Sequence, residues 1–75
     1  MAIDNEQGAM AVIEAWRSEP LRAQRKYLKD AIDSLELSVM YYEQKGNEQG
    51  AARIARCLDL LYARQTEVEA AMPSS

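Results

Sequence analysis

Histidine is absent from these 75 residues, and cysteine occurs once, as Cys57. A disulfide framework within one chain is thereby excluded, and so is a zinc site built from the usual cysteine and histidine ligands. Only two prolines and three glycines punctuate the chain, and no internal repeat or low-complexity tract is apparent. No apolar run approaches the roughly 18 residues that a membrane span needs. The segment Met1-Ala2-Ile3-Asp4-Asn5-Glu6 lacks the basic and apolar regions of a signal peptide. A lone cysteine suits a reducing compartment, so a cytoplasmic location is expected. The net charge of −3 argues against general nucleic-acid binding, for which a basic domain is the expectation. No catalytic, metal or nucleotide signature is present, so neither an enzyme nor a cofactor is expected.

What the chain does contain is two long apolar seams facing each other across one short break. Leu21, Leu28, Ile32, Leu35, Val39 and Tyr42 lead up to Lys45-Gly46-Asn47, and Ala51, Ile54, Leu58, Leu61, Val68 and Met72 lead away from it. Both sets keep three-and-four spacing, which puts a continuous stripe on one side of a helix. Two such helices joined by about two or three residues fold back antiparallel. The spacing predicts helices over about residues 20–45 and 48–72, followed by a tail at 73–75. Gly46 supplies a left-handed C-terminal residue and Asn47 a cap for the next helix. Ahead of the hairpin, Asp4-Asn5 offers capping oxygens, and Ala9, Val12, Ile13 and Trp16 share one face. A short helix over about 5–17 is therefore expected, ended by Ser18-Glu19-Pro20. Ser18 can cap the helix after it and Pro20 can occupy that helix's first turn; a kink at Pro20 is the alternative. The fold class is all-α, one domain spanning residues 1–75.

Twelve of the 36 hydrophobic residues, 48% of the chain, are alanine, and a core this small rarely supplies more than about 3–5 kcal/mol of net stability. The long helices also carry a second apolar set: Tyr27, Ala31, Leu37, Met40 and Tyr41 on one, Ala55, Cys57, Leu60 and Tyr62 on the other. The short helix can cover that set within the chain. Alternatively, a second copy covers it, giving a homodimeric, four-helix-bundle-like assembly in which Leu28, Leu35, Tyr42, Leu58, Leu61 and Gln65 form the dimer or core seam. Gln65 is the polar residue of that seam, a device that can fix register.

Charge supplies the candidate binding residues. Arg22, Arg25, Lys26 and Lys29 form a ridge on one helix face and oppose the dipole of their own helix. Either the ridge binds a partner or Glu67 and Glu69 neutralise it across the hairpin. Asp30, Asp33 and Glu36 continue the helix with opposite sign, with Arg53 and Arg56 expected across from them. Adjacent helical positions diverge by about 100°, so Tyr42 belongs to the seam while Met40 and Tyr41 lie outside it as candidate partner anchors. Cys57 is expected in the core, and Trp16 as packing for the first helix.

The layout of Leu21 to Tyr42, a Lys45-Gly46-Asn47 turn, and Ala51 to Met72 resembles Rop-type helical-hairpin dimers. It is also similar to the small acidic helical proteins, often phage-borne or mobile-element-borne, that inactivate a host regulator, such as anti-activators of quorum-sensing receptors. Those resemblances imply a small non-enzymatic regulator or inhibitor that sequesters a protein partner through helix faces. A secretion-type chaperone and a Rop-like nucleic-acid-contacting module are the alternative expectations.

Overall fold

The computed structural model describes residues 3–73, so Met1-Ala2 and the Ser74-Ser75 end of the expected tail lie outside the described residues. It is all-helical: α1 spans Glu6–Trp16, α2 spans Leu21–Gln44 and α3 spans Glu48–Ala71. The last two form an antiparallel hairpin within a body 43 Å long.

The turn between α2 and α3 is built by backbone geometry. Gly46 adopts φ 74°, a left-handed conformation that glycine takes without a Cβ penalty. The Asn47 N–H donates to the Tyr42 carbonyl at 2.9 Å and the Gly46 N–H to that of Glu43 at 3.1 Å. These two bonds close the Schellman motif and satisfy carbonyls that the helix end leaves free. Asn47 then serves the next helix, its Oδ1 accepting from the Gly50 N–H at 2.9 Å.

The same cap occurs at the start of α1, where Asn5 Oδ1 accepts from the Gly8 N–H at 2.7 Å. Behind this lies a short internal repeat, which corrects the expectation of none: Asn5-Glu6-Gln7-Gly8-Ala9 recurs as Asn47-Glu48-Gln49-Gly50-Ala51. Each copy places Asn at the cap, Glu at the positive end of the dipole and Gly three residues on. Gly50 has a further role, because a Cβ there would lie 2.9 Å from the Tyr42 ring and 2.9 Å from the Asn47 amide. Small size at this site seats Tyr42 across the hairpin.

The start of α2 departs from expectation. Ser18 does not cap it; its hydroxyl donates back to the Ala15 carbonyl at 3.3 Å. Pro20 sits at the cap position with no side-chain cap bond, and the helix begins at Leu21. The physical reason is a buried side chain one turn on. Gln24 reaches back so that its Nε2 donates to the Glu19 carbonyl at 2.8 Å and to that of Arg17 at 3.5 Å, which ties the connecting segment to α2. As a donor to carbonyls it does not cap the free N–H groups of the first turn.

The core joins Leu28, Ile32 and Leu35 of α2 to Ile54, Cys57, Leu58, Leu61 and Val68 of α3, with Ala9 and Ile13 of α1 completing it. α1 packs on α3 and scarcely on α2. It runs parallel to α3, since Glu6 pairs with Arg56 at 2.8 Å while Glu14 and Arg17 share a groove with Arg64 and Glu67. Trp16 closes the lower end, its ring 5.6 Å from that of Tyr27. The second apolar set is thus treated unequally. Cys57 is fully buried and Leu60 half-buried, whereas Leu37, Met40 and Tyr41 stay exposed.

Candidate interaction surface

Arg22, Arg25, Lys26 and Lys29 form an exposed ridge on the first two turns of α2. Arg25 Nε lies 3.0 Å from Glu69, and Lys26 and Lys29 meet Asp30 and Asp33 of their own helix at 3.1 and 3.3 Å. Arg22 makes no ion pair among the described residues. Neutralisation across the hairpin is therefore partial: Glu69 reaches the ridge, but Glu67 turns to Arg64, three residues back on its own helix, at 3.3 Å. Exposed pairs of this kind contribute about 0.2–1 kcal/mol each, so they hold the ridge loosely and leave its charges open to exchange.

The expected pairing of Arg53 and Arg56 with Asp30, Asp33 and Glu36 does not occur. Arg56 turns instead to Glu6 of α1, because α1 lies along that flank of α3. Asp30 and Asp33 are held by the lysines one turn earlier. Glu36 accepts from the Tyr62 hydroxyl, and that hydrogen bond raises the phenol above its ordinary value, helped by partial burial and by the charges of Glu36, Asp33 and Asp59.

Beyond the ridge, the outside of α2 is apolar towards the hairpin tip. Leu37 is 68% exposed, Met40 55% and Tyr41 57%. The Tyr41 ring stands edge-on to Tyr42, with Lys45 Nζ 5.6 Å from its centroid. Tyr42 itself is half-buried in the hairpin. Leu28, Leu35, Leu58 and Leu61 are buried within the single chain, and Gln65 is half-buried at the rim.

A polar cluster that the seam and charge patterns do not single out ties the three helices together at the base. Gln24 is 3% exposed and, besides its two backbone bonds, accepts from Arg64 Nη2 at 2.8 Å. The Arg64 side chain is only 15% exposed, and its Nε is buried without a hydrogen-bond partner among the described residues. An unmet buried donor carries a cost, which the bond to Gln24 and the contact with Glu67 offset. A signal for Gln24 was present: it lies four residues before Leu28, on the seam itself.

Burial, reinforced by the charges of Glu6 and Asp4, pushes the Cys57 thiol up, which disfavours the nucleophilic thiolate. Among the described residues no cluster of His, Cys, Asp or Glu is placed to hold a metal ion, and no helix is long and apolar enough to cross a membrane. No family model matches the chain, and comparisons with characterised proteins and with solved structures return no match.

Proposed function

We propose that the protein is a non-enzymatic regulator or inhibitor that sequesters a protein partner through the basic ridge of α2 and Met40 beside it, acting as a homodimer. The observation that carries this reading is the basic ridge continuing along the helix to exposed Met40 and Tyr41. Cations at a helix N-terminus oppose its dipole, and Leu37, Met40 and Tyr41 lie in water where burial would be favourable by about 1.5–3 kcal/mol for a large apolar side chain. Each feature costs the free chain something that a partner would offset. The complementary partner surface is acidic with an apolar groove, for which Met40 supplies an adaptable anchor, while Leu37 and Tyr41 are free to be covered by the second copy. An anti-activator that masks a host regulator is a biological role of this kind.

The test is affinity capture with the full chain from its native cell, followed by titration of the purified captured protein. Replacing Arg22, Arg25 and Lys26 together by Gln is expected to weaken that binding at least tenfold and to flatten its salt dependence. Unchanged affinity would remove the ridge from the interface. Steeply salt-dependent binding to duplex DNA or folded RNA, in place of a protein, would favour the Rop-like alternative.

A further inference from the structure

We infer that the outer face of α2 docks antiparallel on a second copy of the chain, about a two-fold axis at the level of Ile32. The inference rests on the homodimer reading above and specifies its interface. Ala23, Tyr27, Asp30, Ser34, Leu37 and Tyr41 follow one another at separations of 4, 3, 4, 3 and 4 residues, the spacing of a coiled-coil seam. None of the six belongs to the buried core, and all but half-buried Ala23 are exposed. This second seam lies on the side of α2 away from α3, and α1 approaches it at Tyr27 through Trp16.

Turned end for end about Ile32, the stripe is complementary to itself. Ala23 meets Tyr41 of the second copy, so small faces large at both ends. Tyr27 meets Leu37, joining the two exposed apolar groups that flank the centre. Asp30 meets Ser34, whose hydroxyl can donate to the carboxylate. An isologous pairing makes every such contact twice. A register slipped by one turn would set Asp30 against Leu37 in one direction or against Asp30 of the other copy in the other, and lose these matches, so the polar pair also specifies alignment.

The ridge supplies an independent argument. α1 and α3 carry Glu6 and Glu48 in their first turns, whereas the first turn of α2 has no acid and carries Arg22. Antiparallel docking lays that basic turn beside the negative C-terminal end of the other copy's α2, with Glu43 close to it. Cations that oppose their own helix dipole are then set against a neighbouring one that favours them. Both ridges fall on the same side of the pair, at opposite ends, with Met40 beside them, while Tyr41 is taken up in the seam. The order of layers is α3, α2, α2, α3, which is an open stack and not a closed four-helix bundle. The seam is about 27 Å long by the 1.5 Å rise per residue. One helix face against another buries less than the roughly 800 Å² per partner of a standard interface, so the dimer is reversible.

Sedimentation equilibrium over a wide concentration range tests this. The expected result is a monomer–dimer equilibrium, and Leu37→Lys should raise its dissociation constant at least tenfold with helix content and the melt of the dilute chain unchanged. Arg53→Glu, on the exposed side of α3, should leave the equilibrium alone. A single species of 8.5 kDa at every concentration would overturn the docking and the homodimer reading together. A dimer indifferent to Leu37→Lys would leave the homodimer standing and overturn this face. Orientation is read with Ala23→Cys and Tyr41→Cys combined in a Cys57→Ala chain, two positions too far apart on one helix to bridge within it. Oxidation to a covalent dimer by the double variant, and not by Ala23→Cys alone, is expected; efficient bridging by Ala23→Cys alone would show parallel pairing and overturn the proposal.

Discussion

α2 and α3 are equal in length, 24 residues each, yet they live in different surroundings. α3 faces α2 along one side and α1 along another, so Cys57 joins Ile54, Leu58, Leu61 and Val68 out of water. α2 is covered on one side only, and its outer surface carries Leu37, Met40 and Tyr41. The difference follows from where an 11-residue helix can lie. α1 spans about 16 Å by its rise per residue, enough to cover one helix over part of its length. Its apolar face goes to α3, where Glu6 finds Arg56 and Ala9, Val12 and Ile13 are buried. In a small helical domain the uncovered helix is therefore the one to inspect for partners.

Truncation should expose that inequality most sharply. Leu61 is fully buried in α3, and Leu61→Ala is expected to cost about 2–5 kcal/mol, a large share of what so small a core supplies. Leu37→Ala on α2 removes the same atoms from an exposed site and should move the stability of the dilute chain by no more than about 0.5 kcal/mol. Urea melts of both variants below the association range decide it, and comparable losses would mean that α2 is covered in the isolated chain.

The polar base comes next in size. Gln24→Ala strands Arg64 Nη2 in a half-buried site and frees the Glu19 and Arg17 carbonyls, for an expected loss of about 1–3 kcal/mol. Changing both partners, Gln24→Leu with Arg64→Met, should recover much of it, because removing a buried polar pair together leaves no orphan. A double-mutant cycle on these two positions measures the coupling directly.

Much of this fold was legible in the residues. The hairpin follows from three-and-four spacing on either side of Gly46-Asn47, and the positions of Tyr41 and Tyr42 follow from the angle between adjacent helical residues. Three things did not follow. Val12, Ile13 and Trp16 form an apolar face that fits either second stripe equally well, and only the packed structure shows that it lies on α3. Between Leu61 and Val68, three-and-four spacing admits either Arg64 or Gln65 on the seam. Arg64 turns inward because Gln24 stands opposite it, a cross-hairpin contact that no periodicity reports. The ridge itself was readable, but its partners were not: side chains as long as those of Arg25 and Arg56 reach several acids, and the position of α1 chooses among them.

The two copies of the Asn-Glu-Gln-Gly-Ala segment offer a finer comparison between the covered and uncovered ends. Gly50→Ala should cost about 1 kcal/mol net, the overpacking against Tyr42 and Asn47 outweighing the helix-propensity gain. Gly8→Ala meets nothing nearer than Asn5 Oδ1 at 3.4 Å and should be neutral or stabilising. Thermal melts of the pair give opposite signs if Tyr42 is seated firmly against Gly50, and the same sign if the tip relaxes around the added methyl.

Tyr62 and Glu36 bridge the helices with a bond whose effect depends on pH. The bond holds the phenol protonated, so the folded-state value lies above the unfolded one. Its contribution is fully present below the unfolded value near 10 and is lost as pH rises through the folded value. Ultraviolet titration should show one tyrosine ionising later than the rest, and Glu36→Gln should bring it back toward them. Tyrosines titrating together in the parent chain would remove the bond.

Smallest in stability, and most telling for the surface of α2, is the charge at its first turn. Arg22 has no ion-pair partner among the described residues and stands where the helix dipole is positive, whereas α1 and α3 begin with Glu6 and Glu48. Arg22→Gln removes the unfavourable interaction, and Arg22→Glu reverses it, with expected gains of about 0.3–1 kcal/mol at low ionic strength. The corresponding changes Glu6→Gln and Glu48→Gln should lose stability by similar amounts, with a further small loss at Glu6 from its pairing to Arg56. Because the effect is screened, all of these differences should shrink between low salt and about 1 M, where the Debye length is roughly 3 Å. Urea melts at the two salt concentrations, on dilute samples, separate the dipole from any packing by the arginine stem, which salt leaves in place. If Arg22→Gln is destabilising at both, the arginine is held by the fold and not kept in spite of it, and the charge argument for a partner at that end of α2 fails.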